Sequence, residues 1–469
     1  MTLAATKDRT GEQCGVVGVF NAPEAAKLAY LALYALQHRG QESAGIAASD
    51  GRRVRLHKAP GLVADVFGEP DLEALRGHMA IGHVRYSTTG STHPHNAQPL
   101  LARYHGGSLA IAHNGNLTNA DELRREMEKR GAIFQTSTDS EILLHLVAHT
   151  SSPDFDEALL LSLMRLKGAY SIVLLTPDRL LAFRDPHGFR PLEIGELGDG
   201  GYILASETCA MDILGAHRVR EVEPGEIVTF SSEGMSSQTP FARSRPAFCV
   251  FENIYFSRPD SVSASGKSIC EIRADLGREL AREHPADADL VLGVPDSAMP
   301  AAIGYSRESG LPFDLGLIRN HYVGRTFIEP RQHIRDFGAK VKYNAVRGML
   351  EGKRVVVVDD SIVRGTTIGK IVKMVRGAGA TEVHVRSSAP PLAHPCYYGV
   401  DTPSYGELVA ANLEVEEIRQ QIGADTLGYL SIEGLAKVMP NSASYCFACF
   451  NGDYLAGRPE SFTKAIMED

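Results

Sequence analysis

The stretch VVVVDDSIVRGTTIGK (355–370) decides how the second half of this chain folds. Four consecutive valines read as a strand covered on both faces, the form that parallel sheets take. A short loop follows, and then Ile368, Ile371, Val372 and Val375 recur at helical spacing. A strand that turns straight into a helix start favours a phosphate, because unpaired backbone N–H groups and the helix dipole point at it. Gly365 allows a close approach, and Thr366 and Thr367 add hydroxyl donors. The stretch is not a P-loop: GTTIGKI has one residue too few between its glycines, and Ile371 stands where Ser or Thr should follow Lys370. Asp359 and Asp360 would repel an anion unless the ligand also brings donors or a cation. A ribose diol carrying a Mg²⁺-bound diphosphate meets both needs; the alternative is a solvated acidic loop end.

Working outward, DLVLGVP (289–295) reads as a buried strand followed by a helix from about Ser297, and EVHVRS (382–387) as another strand. SGKSICEIRADLGREL (265–280) places Ile269, Ile272, Leu276 and Leu280 on one helical face. Strand, helix and strand in succession predict an α/β domain with a parallel sheet. RNHYVGRTFIEPRQHIRDFGAKVKYNAVR (319–347) holds seven Lys or Arg against two acids, a basic island that is either a solvated loop or a lid that closes over diphosphate.

The first half has another style. PEAAKLAYLALYALQHRG (23–40) reads as a helix opened by Pro23 and stopped by Gly40. AIGHVRYSTTG (80–90) and SLAIAHNGN (108–116) read as strands running into polar turns, with helices over 119–131 and 139–149 and strands over 170–176 and 179–185. This is an α+β pattern. The boundary falls in SSQTPFARSRP (236–246), giving domains 14–243 and 244–469 after a leader of residues 1–13.

The chain has 469 residues and a net charge of −9 from 48 basic and 57 acidic side chains, which argues against a general nucleic-acid or anionic-membrane binder. No run of about 18 apolar residues offers a membrane span, and the leader lacks the apolar core of a secretory signal. A cytoplasmic protein is expected. In a reducing compartment its seven cysteines argue for metal or catalysis over a disulfide framework.

Cys14 starts the apolar run CGVVGVF (14–20). It is either a small buried hydrophobe or an N-terminal nucleophile whose own α-amine, with a pKa of roughly 7.7–8.0, serves as base once the leader is removed. HNGN (113–116) can supply an oxyanion hole from the Asn114 side chain and the Gly115 N–H. Arg85 suits a carboxylate and Asp139 an ammonium group; alone, each would pass for a surface charge or a helix cap. Cys446 and Cys449 form a CxxC, which could be a metal knuckle, a redox pair or chance, with Cys249 and Cys396 as distant partners for zinc or an iron–sulfur cluster. Cys209 and Cys270 read as ordinary buried thiols. His93 and His95 suggest loop packing rather than a metal.

VVVVDDSIVRGTT resembles the phosphoribosyl diphosphate signature of type I phosphoribosyltransferases. The resemblance implies that Asp359 and Asp360 hold the ribose hydroxyls, that Ser361, Arg364, Gly365, Thr366 and Thr367 hold the 5′-phosphate, and that VPDSAMP (294–300) holds the diphosphate with Ser297 near Mg²⁺. CGVVGVF, LQHRGQESAGI (36–46), GHVRYSTTG, HNGNL and STDSE resemble an N-terminal-nucleophile glutamine amidotransferase. Together the two halves resemble the amidophosphoribosyltransferase family. That implies a four-layer αββα glutaminase joined to an α/β phosphoribosyltransferase domain, with glutamine and phosphoribosyl diphosphate as substrates. It also implies a homotetramer, purine-nucleotide feedback, and the first step of de novo purine synthesis. FCVFENIYFSRPDS, HPCYYGVD and SYCFACFNGDY match the branch with a structural 4Fe–4S cluster on Cys249, Cys396, Cys446 and Cys449. Gln13 stands where leader-bearing relatives would carry Glu. Two rivals make distinct demands. An aminosugar synthase would lack the 355–367 signature, and a phosphoribosyl-diphosphate-sensing regulator would need a basic binding face and no glutaminase half.

Overall fold

A computed structural model describes residues 14–86, 93–320, 342–402 and 404–459. The leader, the turn expected after Arg85 (87–92) and most of the basic segment (321–341) lie outside the described residues.

The first half is two antiparallel sheets, of seven and six strands, stacked face to face. Gly15–Phe20 runs through the first sheet between Met79–Arg85 and Tyr202–Ala205. Its side chains alternate with the period of two that a strand dictates. Val17 and Val19 pack under the helix Ala25–Ala35, while Val16 and Phe20 meet Ala110, Ala112 and Val173 of the second sheet. The helices Ala120–Lys129, Glu141–His149 and Phe155–Leu163 cover that sheet's outer face. Helix, sheet, sheet and helix form the expected four layers.

In the second half, Leu290–Gly293, Arg354–Asp359, Glu382–Ser387 and Thr426–Tyr429 pair in that order, all parallel. The valine run is continuous because both faces are covered. Val356 and Val358 pack with the helix Ile269–Glu283 on one side, and Val355 and Val357 with Ile368, Ile371, Val372 and Val375 on the other. Ser268 and Glu271 cap Ile269–Glu283 reciprocally, which sets its start.

Several expectations are corrected. HNGN is not a turn: it continues the strand Gly107–Leu117, paired with Gly168–Leu175. The first helix ends at Ala35, well before Gly40. The helix expected from Ser297 begins at Met299. The boundary at 243 is not among these corrections: the strand Gly234–Gln238, paired in the second sheet, ends before it. Cys270 is exposed, because its position on Ile269–Glu283 faces away from the core helped by its neighbours Ile269 and Ile272; Cys209 is buried as expected. No helix among the described residues is long and apolar enough to cross a membrane.

Candidate active sites and a four-cysteine cavity

The first site gathers where the two sheets of the first half meet. Cys14 precedes the strand Gly15–Phe20, and Gly15 pairs with Val84, so Arg85 lies on the neighbouring strand. Cys14 is buried, 8% exposed as a residue, and its thiol donates to the Tyr86 carbonyl at 3.4 Å. Burial pushes that thiol up to about 12, with Arg85 opposing and Glu42 and Asp139 reinforcing the shift. It is therefore a neutral thiol near neutral pH, and needs a base to become a nucleophile.

His83, two residues before Arg85, donates from Nε2 to the His113 carbonyl at 3.0 Å and ties the Arg85 strand to the strand of Asn114. Asp139 lies just before the helix Glu141–His149 and accepts from the Leu117 N–H at 2.9 Å. Burial works against its charge, but His113, the Leu117 N–H and the Ser140 hydroxyl outweigh that and hold the carboxyl below its usual range. Arg85 is buried as well, which costs its charged form. An anion-seeking and a cation-seeking side chain thus both lie close enough to the thiol to act on it electrostatically, as an α-amino acid would require.

Asn114 is fully buried, yet among the described residues neither its amide nitrogen nor its amide oxygen finds a hydrogen-bond partner. A buried primary amide left unpaired costs about 1–3 kcal/mol per polar group. Such a cost persists where a ligand supplies the missing partner.

The second site lies at the carboxyl ends of the parallel strands, where α/β sheets bind ligands. Asp359 ends the strand Arg354–Asp359 and Asp360 follows; they are 2% and 1% exposed, so the pair is not a solvated loop end. The Asp360 N–H donates to Asp359 at 3.0 Å. The Ser297 hydroxyl donates to one Asp360 oxygen and the Ser361 hydroxyl to the other, the latter at 2.8 Å. The fold thereby brings the loop after the first strand onto the acid pair. Gly365 has φ +79°, a left-handed backbone that glycine adopts at no steric cost. It starts the helix Thr366–Gly377, whose first turn has, among the described residues, no side-chain cap and no acidic residue, so its N–H groups suit an anion. The Arg364 guanidinium donates to Glu407 at 2.9 Å.

The cysteines converge as well. Phe248–Cys249 pairs in parallel with Tyr445–Cys446, placing Cys249 opposite Cys446. Those two, Cys396 and Cys449 line one small cavity of about 20 Å³, walled by Phe189, Phe251, Leu392 and Val400. Burial pushes Cys249 up to about 11, with Glu252 and Cys396 adding to the rise, and pushes Cys446 and Cys449 higher, with neighbouring thiols adding to the rise of each. Among the described residues, no three His, Cys, Asp or Glu side chains come together as a single-ion site. His93 and His95 are exposed and pack ring against ring.

Sequence reasoning missed Arg39, Glu207 and Glu252. Arg39 Nε donates to the Cys14 carbonyl at 3.0 Å and its Nη atoms reach both carboxylates. LQHRGQ held the arginine in plain view, but nothing in it announces partners so far along the chain.

Residues 83–212 match the glutamine amidotransferase domain model and residues 266–405 the phosphoribosyl transferase domain model. Amidophosphoribosyltransferase of Bacillus subtilis is 51% identical over 449 residues, covering 94% of each chain. Amidophosphoribosyltransferase 1 of Arabidopsis thaliana, chloroplastic, is 52% identical, over 95% of this chain and 79% of its own length. Among solved structures, glutamine phosphoribosylpyrophosphate amidotransferase from B. subtilis, complexed with ADP and GMP, superposes with a TM-score of 0.89 at 50% identity, covering 94% of this chain and 97% of that one. A glutaminase half joined to a phosphoribosyltransferase half excludes both rivals, and the chain belongs to the amidophosphoribosyltransferase family.

Proposed function

We propose that Cys14 is the nucleophile through which this enzyme draws ammonia from glutamine, and that Asp359 and Asp360 hold the phosphoribosyl diphosphate that receives it. The overall reaction is that of the family: glutamine, phosphoribosyl diphosphate and water give 5-phosphoribosylamine, glutamate and diphosphate, the first step of de novo purine synthesis. The observation that carries the residue assignment is the closeness of Arg85 and Asp139 to the Cys14 thiol, together with the buried Asn114 amide, unpaired among the described residues, on a strand that His83 ties to that of Arg85.

In this reading, residues 1–13 are removed and the freed α-amine of Cys14 takes the thiol proton. Arg85 binds the substrate carboxylate and Asp139 its ammonium group. The thiolate attacks the side-chain amide carbonyl, whose oxygen is stabilised by the Asn114 amide and the Gly115 N–H. The amine returns the proton to the leaving nitrogen, ammonia departs, and water releases glutamate from the thioester. In domain 244–469, Asp359 and Asp360 orient the ribose hydroxyls and residues 361–367 receive the 5′-phosphate at the helix start, with Arg364 leaving Glu407 on binding. Ser297, Asp359 and Asp360 would hold Mg²⁺, which would neutralise the departing diphosphate. The oxygen-only donor set of this loop suits that ion.

Cys249, Cys396, Cys446 and Cys449 would hold a 4Fe–4S cluster. The four thiols line one apolar cavity, and four thiolates could serve such a cluster or zinc; the preference for the cluster rests on the resemblance of these three cysteine segments to the iron–sulfur branch of the family. The cluster would crosslink three distant segments and carry no reaction step. By extension from the relative that carries ADP and GMP, purine nucleotides would inhibit this enzyme. A homotetrameric, cytoplasmic protein completes the reading.

The decisive experiment is Cys14→Ala, built also without residues 1–13 and with its initiator Met removed. Glutamine-dependent synthesis should vanish while synthesis from ammonium salts persists, more so at higher pH. Normal synthesis from glutamine would reduce Cys14 to a buried small residue. Intact mass should show mature protein beginning at Cys14, and anaerobically purified protein should contain about four iron atoms per chain.

A further inference from the structure

A buried charge cluster runs from the glutaminase site into the cysteine-bearing part of the chain. The side chains of Arg39, Arg190, Glu207 and Glu252 are at most 2% exposed. Arg39 donates from Nε to the Cys14 carbonyl at 3.0 Å, from Nη1 to Glu207 at 2.6 Å, and from Nη1 and Nη2 to the two oxygens of Glu252 at 3.0 and 2.8 Å. Arg190 reaches the same Glu252 carboxylate at 3.4 Å and donates from Nε and Nη2 to the Tyr398 carbonyl at 2.9 and 2.6 Å. Glu252 follows Cys249 closely in sequence, and Tyr398 follows Cys396. One carboxylate therefore clamps two guanidiniums. One of them grips the nucleophile's own carbonyl, and the other grips the backbone beside a cavity cysteine.

A second contact joins the same parts. Asn116 Nδ2 donates to the Tyr397 carbonyl at 3.0 Å. Gly399 packs so tightly on Gly115 that a Cβ there would lie 2.8–3.0 Å from the Gly115 backbone. Asn116 and Gly115 belong to the strand that carries Asn114.

Burying four charges is costly even when they pair, and apolar residues often stabilise as well, so stability alone is a weak reason for the cluster. A guanidinium is planar and rigid. Holding its two Nη atoms on Glu252 and Glu207 fixes the direction in which Nε points, and Nε points at Cys14. We propose that the cysteine-bearing segments are part of the frame of the glutaminase site: Glu252 positions Cys14 through Arg39, and residues 397–399 position the backbone of Asn114 and Gly115. This rests on the reading of Cys14 as nucleophile. Neither contact touches the acid pair at the second site, so the two chemistries should separate.

The test uses full-chain Glu252→Gln and Gly399→Ala, with four readouts: synthesis from glutamine, synthesis from ammonium salts, iron content, and the rate at which a diazoketone analogue of glutamine alkylates Cys14, followed by intact mass. Both variants should lose about tenfold or more in glutamine kcat and in Cys14 alkylation, as expected when a reacting group is displaced by a fraction of an ångström to one ångström. Synthesis from ammonia should stay within about twofold of the parent, iron content should be unchanged, and Glu252→Asp should restore part of the loss. Parallel loss of both syntheses, or alkylation of Cys14 at the parent rate in both variants, overturns the proposal. If Glu252→Gln yields no soluble protein, Gly399→Ala decides by the same criteria. Parent protein that resists alkylation at Cys14 overturns the nucleophile assignment and this inference with it, and is distinguishable because it needs no variant.

Discussion

The two sites in this molecule solve opposite electrostatic problems. The pocket of Cys14 is buried between antiparallel sheets, and its Arg85 and Asp139 are removed from water. Charges there discriminate strongly because the local dielectric is low, which suits a small zwitterion held at both ends. The acid pair of Asp359 and Asp360 is no less buried, but it lies at the carboxyl ends of a parallel sheet, and the helix start that follows it opens to solvent with an exposed Thr366. A ligand bearing several phosphates is expensive to strip of water, so an open cradle of N–H groups and hydroxyls suits it better. The comparison teaches that the nucleophile side gains from exclusion of solvent, and the phosphate side from preorganised donors at a surface.

That contrast can be broken by mutation. The largest effect is expected at Asn114. Asn114→Ala removes an oxyanion donor and should lower glutamine-dependent kcat by about 10²–10³-fold, while synthesis from ammonia is retained. Equal loss in both assays would show that Asn114 supports the fold and not the pocket. At the open site, Asp359→Asn and Asp360→Asn should each lower kcat/KM for phosphoribosyl diphosphate by about 10–10²-fold, in the range for removing a positioned binding group, and leave basal glutamine hydrolysis intact. Saturation curves for phosphoribosyl diphosphate that match the parent in both variants would detach the acid pair from the ribose.

A subtler probe exploits burial. Burial alone would raise the Glu207 carboxyl, but His38, Arg39 and the Arg258 N–H outweigh it and hold it well below the usual range. A carboxyl with a depressed folded-state pKa stabilises the fold fully above its unfolded value of about 4.3, and that contribution is lost as pH falls toward the folded value. Thermal melting followed from pH 7 to pH 3 should therefore show a loss of Tm below about pH 4–5. Glu207→Gln should begin with a lower Tm at pH 7 and show a shallower acid slope. An identical slope would mean that other carboxylates govern acid unfolding. The smallest effect is expected at Gly365→Ala, where forcing a Cβ into left-handed backbone costs about 1–2 kcal/mol. The nearest atoms to that Cβ would be at 3.6 Å, so no clash is added. A several-fold rise in KM for phosphoribosyl diphosphate, with glutamine hydrolysis unmoved, would match that cost.

Much of this was legible in the residues alone. The valine run with its acid pair, loop and helical repeat announces a parallel strand feeding an anion site, because local periodicity and helix-terminus chemistry are encoded within a few residues. The alternation in GVVGVF and the CxxC at Cys446 and Cys449 are equally local. What the residues could not disclose is pairing at long range. HNGN has the composition of a turn, and became strand because Gly168–Leu175 pairs along its full length. Tertiary packing brings Glu407 to Arg364, a pairing that nothing near either residue foretells. The four cysteines share a cavity only because Phe248–Cys249 and Tyr445–Cys446 pair in register. Arg39 and Glu252 are separated by 213 residues and meet in the interior with no local pattern to foretell it. Local free-energy preferences act between neighbours and can be read along the chain. A buried ion cluster is decided by which distant segments the packed core forces together, and that is settled only when the whole chain has folded.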